Sequence, residues 1–309
     1  MKVNACSMGV LLAFLVISMA SCASAPTPNA PIGAIKTCID PEAWARVPTG
    51  EFLQGQHNRP VMVDYDYEIM LTDVTVAQYA TYLNLVLTQG SVELLESQVI
   101  GYYPGDEFHG FRHEEEIVAG DYIHLPLDDP GLRLRIETTG FTPQPGYENH
   151  PITLVSWFGA QAYCQFYGWR LPSEIEWEKA ARGEDGRAYP WGDEIGTENA
   201  NYYSSHDIFE KLLGKGGDTT PVGFYNGKHY EIPPYGETLT QDSASPYGLY
   251  DMAGNVWQWT DDVYPDQHYR YMRGGSKDTY AYNLRLWTRN SAGPSYYSMA
   301  VGFRCARTP

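Results

Sequence analysis

The C-terminal part of the chain consists of short aromatic segments separated by glycine-containing turns. Its densest stretch is YGLYDMAGNVWQWT at residues 247–260, followed by RGGS at 273–276 and VGFRCA at 301–306. Beyond Glu184 there is no strand–helix–strand alternation, which argues against a parallel sheet. The 309 residues include 30 glycines, 21 prolines and 25 tyrosines, a composition that favours many turns. We therefore expect a compact protein with short regular elements.

The charge balance limits the partners of the protein. Lysine and arginine total 21 against 38 aspartates and glutamates, which gives a formal net charge of −17. Such a surface repels phosphate backbones and anionic headgroups, so we expect no nucleic-acid partner. The acidity favours solubility, and some of the carboxylates could bind calcium.

The N-terminus has the pattern of an export signal. Its apolar run at 10–17 is too short to span a bilayer, and it ends in MASC at 19–22, which resembles a bacterial lipobox. Cleavage before Cys22 would allow lipidation of that cysteine, whereas ordinary cleavage near Ala25 would discard it. The small residues directly before the cysteine favour lipidation. We therefore predict a lipoprotein signal peptide at 1–21 and an exported protein tethered by acyl chains at the bacterial cell envelope.

The rest of the chain divides into a linker and one domain. Residues 22–40 begin with a small, polar, proline-rich sequence that predicts a lipid-anchored tether. A single domain is predicted over 41–309, and within it 90–148 lacks clear periodicity and is interpreted as an insertion or lid. His109 and His113 in that segment have the spacing of metal ligands on a helix. Nearby glycines argue against a helix and no third ligand is evident, so we interpret this stretch as a solvated loop.

Caps and apolar periodicity predict three helices. Thr75 with Gln78, and Ser173 with Glu176, have the spacing of capping boxes. Apolar residues follow each start at helical intervals, and glycines mark the later two ends. The predicted helices cover residues 75–87, 156–167 and 173–183.

The cysteines suggest one disulfide. They are Cys6, Cys22, Cys38, Cys164 and Cys305. Removal of the signal and acylation of Cys22 would leave three thiols in an oxidising compartment. Cys164 and Cys305 lie in motif-rich segments and form the natural pair. The alternative is that both are buried free thiols, which behave as small apolar side chains; Cys38 has no assigned role.

Several motifs together resemble one known family. WRLPSEIEWEKAARG at 169–183 is similar to the central motif of the formylglycine-generating enzyme (sulfatase-modifying factor) family. The resemblance covers about 41–309, apart from 90–148. It implies a single compact α+β domain with a C-type-lectin-like core and little regular secondary structure, and a family disulfide matches Cys164–Cys305. The other matching segments, in the family's order, are VPTGEF at 47–52, TDVT at 72–75, YPWG at 189–192, TPVG at 220–223, 247–260, GGS at 274–276 and GFRC at 302–305.

The resemblance also implies structural calcium. Gln258 stands where the family has a glutamate, and an amide should weaken a calcium site without abolishing it. Turn chemistry is the alternative explanation for Asp251. The better-supported ligand set is Asp73, Asp251, Gly254, Val256 and Gln258. The second set is Asn201, the carbonyl of Tyr202, and Asp218.

The cysteines on which the family's catalytic chemistry depends are absent from the corresponding segment of this sequence. Its enzymes bind copper(I) through two cysteines, the first soon after Gly-Gly-Ser, and oxidise a substrate cysteine. Here Ser276 is followed by KDTYAYN at 277–283, and no cysteine occurs before Val301. Copper is therefore not expected, and no catalytic residue is assigned. The candidates for a binding groove are Trp259, Ser276, Asp278, Tyr280, Arg285 and Arg289.

Three functional hypotheses follow. The first is a membrane-tethered extracytoplasmic protein that binds an unknown protein or small molecule without copper-dependent oxidation. The second is an oxidoreductase of the same superfamily with different chemistry, and formylglycine generation on sulfatases ranks last. Fold alone cannot choose among these, because function resides in the site.

Overall fold

The computed structural model of the protein describes residues 34–211, 217–233, 235–264 and 266–309. These residues belong to one compact unit. The predicted signal peptide, Cys22 and most of the predicted linker lie outside the described residues. Within the described ranges, no helix is both long enough and apolar enough to cross a membrane.

The helices in the described part of the chain begin at their predicted caps. The hydroxyl of Thr75 accepts a hydrogen bond from the backbone of Gln78, whose side chain accepts one from Thr75 in return. Ser173 and Glu176 form the same capping box. The prediction of three helices is thus confirmed, with the first extending to Gly90, which ends it in the left-handed conformation. The helices are α1 (Val76–Gln89), α2 (Trp157–Phe166) and α3 (Glu174–Arg182).

The strands of the described chain are short, and the longest has eight residues. They are β1 (Trp44–Val47), β2 (Gly50–Gln54), β3 (Arg59–Val63), β4 (Tyr67–Met70), β5 (Val92–Leu95), β6 (Gln98–Tyr103), β7 (Gly120–Pro126), β8 (Leu134–Glu137), β9 (Gly140–Pro143), β10 (His229–Ile232), β11 (Gly236–Leu239), β12 (Trp257–Tyr264), β13 (Tyr269–Arg273), β14 (Arg289–Ala292), β15 (Val301–Gly302) and β16 (Ala306–Arg307). Single 3-10 turns occur at Phe209–Lys211 and Ala281–Leu284.

Two small sheets hold the domain together. In the first, β4 lies between β1 and β16, so the N-terminal and C-terminal strands of the domain pair with the same neighbour. In the second, the strand order is β14-β13-β12-β15, with β15 parallel to β12 and the other pairs antiparallel. This mixture of helices and short, mostly antiparallel strands confirms the predicted α+β class.

A disulfide joins α2 to the C-terminal segment. Cys164 and Cys305 are bonded, with their Cα atoms 5.7 Å apart, and both are fully buried in the largest apolar cluster. The expected pairing is therefore confirmed. Aromatic rings surround the bridge, because Tyr163 stacks on Tyr79 and meets the edge of Phe303.

The segment at 90–148 is integrated into the core. It forms the antiparallel sheet β5-β6-β7 and the hairpin β8–β9. Val99, Leu125 and Phe141 are buried in the same cluster as α1 and α2. A Cβ atom on Gly159 would lie 2.6 Å from the His124 carbonyl oxygen, so α2 rests directly on β7. A β-bulge in the pairing of β6 with β7 disturbs the inward–outward alternation, which explains why no period is visible in the sequence.

The charges of the 169–183 motif are structural. The Arg273 guanidinium is fully buried and pairs with Glu174 at 2.9 Å and Glu178 at 2.7 Å. The guanidinium of Arg182 donates to the carbonyls of Leu53 and Gly55, at 2.7 and 2.8 Å. These contacts fix α3 to β13 and to the β2–β3 hairpin.

Candidate functional site

A groove lies between the segment at 130–133 and the loop that follows Ser276. Its volume is about 340 Å³, at the lower end of the range for small-molecule sites. We call it the Asp278 groove. It is lined by Pro130, Gly131, Arg133, Gly217, Lys277, Asp278 and Met299.

Two ion pairs set the charge of the Asp278 groove. Lys277 Nζ lies 2.8 Å from Asp278 Oδ1, and the Asp278 side chain is 40% exposed against 4% for Lys277. Arg133 pairs with Asp218 at 3.1 Å, and its guanidinium lies 4.2 Å from the ring centre of Tyr147. Of these four charged groups, Asp278 is therefore the most accessible to a ligand.

Ser276 stabilises the loop from its buried side. It is fully buried, and its Oγ accepts a hydrogen bond from the backbone of Asp278. Its backbone N–H donates to Thr279 Oγ1 at 2.9 Å, and its carbonyl accepts from the same hydroxyl at 2.9 Å. Ser276 thus holds a tight turn that presents Asp278.

Tyr280 continues the same loop and is 62% exposed. Its ring meets the edge of Tyr203, with centroids 5.0 Å apart. The backbone of Tyr203 donates to the Thr279 carbonyl at 2.9 Å. An exposed aromatic pair therefore stands next to the turn that carries Asp278.

The other groove candidates lie elsewhere. Trp259 is buried in the core and donates its ring N–H to the Val155 carbonyl. Arg289 lies on β14 and pairs with Glu174 at 2.9 Å. Arg285 stands beside the ring of Trp287 at 5.9 Å. The structure thus brings Ser276, Asp278 and Tyr280 together and leaves Trp259, Arg285 and Arg289 outside the Asp278 groove.

Sequence reasoning did not identify Arg133, Lys277 or Met299 as groove residues. Lys277 adjoins the Gly-Gly-Ser motif, which is a local signal that could have pointed to it. Arg133 and Met299 approach the loop from distant parts of the chain, and nothing in their local sequence indicates this.

A buried arginine, Arg304, contacts the side chains of two residues of the first predicted calcium set, Asp73 and Gln258. Asp73 Oδ1 lies 3.4 Å from Arg304 Nη2, while Asp73 Oδ2 is buried without a hydrogen-bond partner. Burial raises the pKa of Asp73 to about 8 and that of Asp251 to about 6. An unpaired buried carboxylate oxygen fits a cation at this position.

The side-chain oxygen of Gln258 already accepts two hydrogen bonds. Its Oε1 accepts from Trp177 Nε1 at 2.7 Å and from Arg304 Nε at 2.9 Å, and these donors fix the orientation of the amide. Its Nε2 then donates to the Asp251 carbonyl at 2.6 Å. The fit to calcium therefore depends on the Asp73 and Asp251 carboxylates and on the backbone at Gly254 and Val256, and calcium stays a prediction.

The second predicted calcium set is held together by hydrogen bonds. Asn201 Nδ2 donates to the Asp218 carbonyl, and the Tyr202 carbonyl accepts from Ser205. Both oxygens of the Asp218 carboxylate already accept, one from Thr219 and the other from Arg133 and Tyr147. These donors satisfy Asp218 without a metal, so this set fits calcium less well than the first.

The family model that matches the chain covers nearly all of the described residues. It is described as a sulfatase-modifying factor enzyme 1-like domain, and the match extends over residues 35–309. The chain belongs to this family.

Two curated relatives share about half of the chain. Serine/threonine-protein kinase Pkn1 of Chlamydia caviae is 36% identical over 183 residues, which cover 53% of this chain and 25% of the kinase. Inactive C-alpha-formylglycine-generating enzyme 2 of Bos taurus is 38% identical over 164 residues, or 50% of each chain. The chain thus spans between a quarter and a half of the length of these relatives.

A solved structure supports the fold. PvdO from Pseudomonas aeruginosa superimposes with a TM-score of 0.52 and 19% sequence identity, covering 92% of this chain and all of that one. At this identity the likeness concerns the fold alone. The predicted fold, that of formylglycine-generating enzymes with a C-type-lectin-like core, is confirmed.

This member of the sulfatase-modifying factor family lacks the family's cysteine pair. Its sequence contains no cysteine between Ser276 and Val301. Among the described residues, the one cysteine outside the disulfide is Cys38, which is exposed and does not line the Asp278 groove. A carboxylate and an ammonium group follow Ser276, where the resemblance implied a copper-binding cysteine.

Proposed function

We propose that the protein is a membrane-tethered, extracytoplasmic member of the sulfatase-modifying factor family that binds a ligand or partner in the Asp278 groove. In this proposal it does not catalyse copper-dependent oxidation of cysteine. The observation that carries the proposal is the replacement of the expected thiol loop by the Lys277–Asp278 ion pair at the wall of a groove. Copper(I) prefers soft thiolate ligands, and neither group supplies one.

The groove suggests the chemistry of its ligand. The accessible charge is the Asp278 carboxylate, and Met299 provides an apolar wall. Its volume accommodates a small molecule or a side chain of a peptide. We therefore expect a ligand with a cationic group beside a short apolar part.

The first experiment separates binding from oxidation. The full chain, purified in detergent, is incubated with a Cys-x-Pro-x-Arg peptide, copper, oxygen and reductant. Mass spectrometry should show an unchanged peptide. Conversion of the peptide cysteine to formylglycine would refute the proposal.

The second experiment tests the Asp278 groove. A library of fluorinated amines with short apolar groups is screened by ¹⁹F NMR against the full chain. An amine that binds shows a broadened ¹⁹F signal in the presence of the parent protein. This broadening should be absent with Asp278→Lys and present with Glu51→Lys, a charge-matched change at an exposed position on β2. Equal broadening with both variants would show that the hits bind outside the groove.

The tether rests on the sequence at 19–22, and Cys22→Ala tests it. We expect the variant to leave the membrane fraction, because acyl chains supply most of the membrane affinity of a lipoprotein. Unchanged sedimentation with membranes would contradict lipidation. Since the groove tests use detergent-solubilised protein, failure of the tether leaves the ligand proposal standing.

A further inference from the structure

Two histidines and a glutamate from distant parts of the chain meet at one point. His109 and Glu114 belong to the segment between β6 and β7, and His268 lies in the turn between β12 and β13. One ligand atom from each lies within 4.8 Å of the others. His109 Nδ1 is 3.0 Å and His268 Nε2 is 2.6 Å from Glu114 Oε1. The segment around His109 is irregular and mostly exposed, as predicted for a solvated loop. Within it, however, the Glu114 side chain is fully buried, and His268 provides the third group that the local sequence did not show.

The His268 ring is held in the orientation of a metal ligand. Its Nδ1 faces Asp106 Oδ2 at 2.7 Å, which leaves Nε2 directed at Glu114. Asp106 is itself fixed by Arg270, whose guanidinium lies 2.7 Å from Asp106 and 4.1 Å from the ring centre of Trp157. A carboxylate behind a histidine is the usual support of a metal-bound imidazole, because it fixes the tautomer and raises the basicity.

Glu114 is positioned by backbone donors. The N–H groups of His109 and Phe111 donate to its two carboxylate oxygens, at 2.8 and 2.9 Å. The loop thus folds around this carboxylate. His268 occupies the left-handed region with φ of 57°, a conformation that costs energy for a non-glycine residue and is often found at functional sites.

One side of the cluster opens onto a cavity. The cavity has a volume of about 380 Å³ and is lined by Gly105, Asp106, Glu107, His109, Val263 and His268. The His109 side chain is 41% exposed, whereas His268 is almost completely buried. A metal held by the three groups would therefore keep a coordination position directed at the cavity, as three-ligand sites do.

We propose that His109, Glu114 and His268 bind a divalent first-row transition metal, of the zinc or iron(II) class. Two imidazoles with one carboxylate suit these ions, whereas calcium and magnesium prefer oxygen ligands alone. Metal–ligand bonds of about 2.1 Å place tetrahedral ligands about 3.4 Å apart. The observed contacts at Glu114 need to widen only slightly to admit the ion. This site is separate from both predicted calcium sets and from the Asp278 groove.

A metal-free latch is the competing explanation. In it, both nitrogens of His268 donate to carboxylates, and the contacts only fasten the segment between β6 and β7 to the β12–β13 turn. The two explanations differ for His109. Its exposed ring is dispensable to a latch between His268 and Glu114, but it is a ligand in the metal site.

Zinc binding by the full chain decides between them. The protein is stripped with chelator in a Cys38→Ser background, since an exposed thiol also binds zinc. It is then equilibrated with zinc in the presence of calcium, and bound metal is measured by mass spectrometry. We expect one zinc per chain and a weakening of at least about 100-fold in His109→Ala and Glu114→Gln. Asp106→Asn, which does not contact the metal, should weaken binding about 10- to 100-fold.

His113→Ala is the matched control, because His113 is an exposed histidine of the same segment that is not in the cluster. It should bind zinc like the parent protein. Cobalt(II) should give visible absorption bands that disappear in His109→Ala, while in the absence of metal the circular dichroism and melting temperature of that variant match those of the parent protein. Substoichiometric zinc, equal binding by His109→Ala, or an equal loss in His113→Ala would each overturn the proposal.

Discussion

Removal of the Cys164–Cys305 disulfide is the perturbation with the most direct structural consequence. The bridge connects residues 141 positions apart. In the unfolded chain it closes a loop that includes α3, Asp278 and all four strands of the second sheet. Replacement of both cysteines by alanine releases this loop in the unfolded state and leaves the native contacts of the backbone in place.

The expected loss follows from the length of the loop. The chain-entropy relation gives about 17 cal/mol/K for a loop of this size, or about 5 kcal/mol at 25 °C. Both sulfur atoms are fully buried in the largest apolar cluster, so their removal should cost a further 1–2 kcal/mol, roughly, through the small cavity left behind. The sum is comparable to the whole stability of many domains, about 5–15 kcal/mol.

Urea unfolding followed by tryptophan fluorescence measures this loss. The double variant should lose about 5 kcal/mol or more, and its dependence on urea should steepen because the unfolded chain becomes more expanded. Cys38→Ala, an exposed free cysteine, is the control and should change stability by less than about 0.5 kcal/mol. A loss below about 1 kcal/mol with an unchanged urea dependence would refute the entropic reasoning.

Three further predictions concern buried charges. Burial lowers the pKa of His124 and of His150 to about 4. Because these histidines take up protons near pH 6.5 in the unfolded chain, their burial should lower the free energy of unfolding only below that pH. Relative to a His124→Gln/His150→Gln variant it should fall between about pH 6.5 and 4, by up to about 3 kcal/mol per histidine; the raised pKa values of Asp73 and Asp251 act in the opposite direction in both proteins, and parallel profiles of urea midpoints for the two would contradict this. Arg273→Met leaves buried carboxylates without their partner and should cost about 3–5 kcal/mol in urea unfolding, whereas the exposed Arg289→Met should cost less than about 1; equal costs would disprove the buried network. Calcium at roughly 100 times its dissociation constant should stabilise the protein by about 2.7 kcal/mol, and in thermal unfolding this gain should be absent from Asp73→Asn; no gain in the parent protein would refute the calcium prediction.

The helices could be predicted because their signals are local. A capping box needs only two residues three positions apart, and the structure contains both boxes at Thr75 and Ser173. The motif at 169–183 identified the family as well. Apart from the half-buried Arg170, its charged residues are buried and bonded to surrounding elements, for example Arg182 to the carbonyl of Leu53. A sequence motif of this kind therefore reports the fold rather than the chemistry.

The segment at 90–148 and the metal cluster could not be predicted, because long-range contacts determine them. The bulge between Val99 and Ile100 breaks the two-residue period on which a strand prediction depends. His268 lies 154 residues from Glu114, so a search for a second histidine near His109 finds His113, which is not part of the cluster. The same limit applies to Arg133, which reaches Asp218 across 85 residues.

The framework residues and the loop after Ser276 differ in how many elements they contact. Arg304 bonds to backbone carbonyls of Met70, Leu71 and Tyr250, and Gln258 joins it to α3, so a change at either position would disturb several elements at once. Asp278 instead bonds to its sequence neighbours, with its carboxylate paired to Lys277 and its backbone N–H donating to Ser276 Oγ. Substitution of the Asp278 side chain should therefore disturb the framework little. For this reason the Gly-Gly-Ser turn indicates the fold, whereas the function has to be inferred from the chemistry of the residues that follow it.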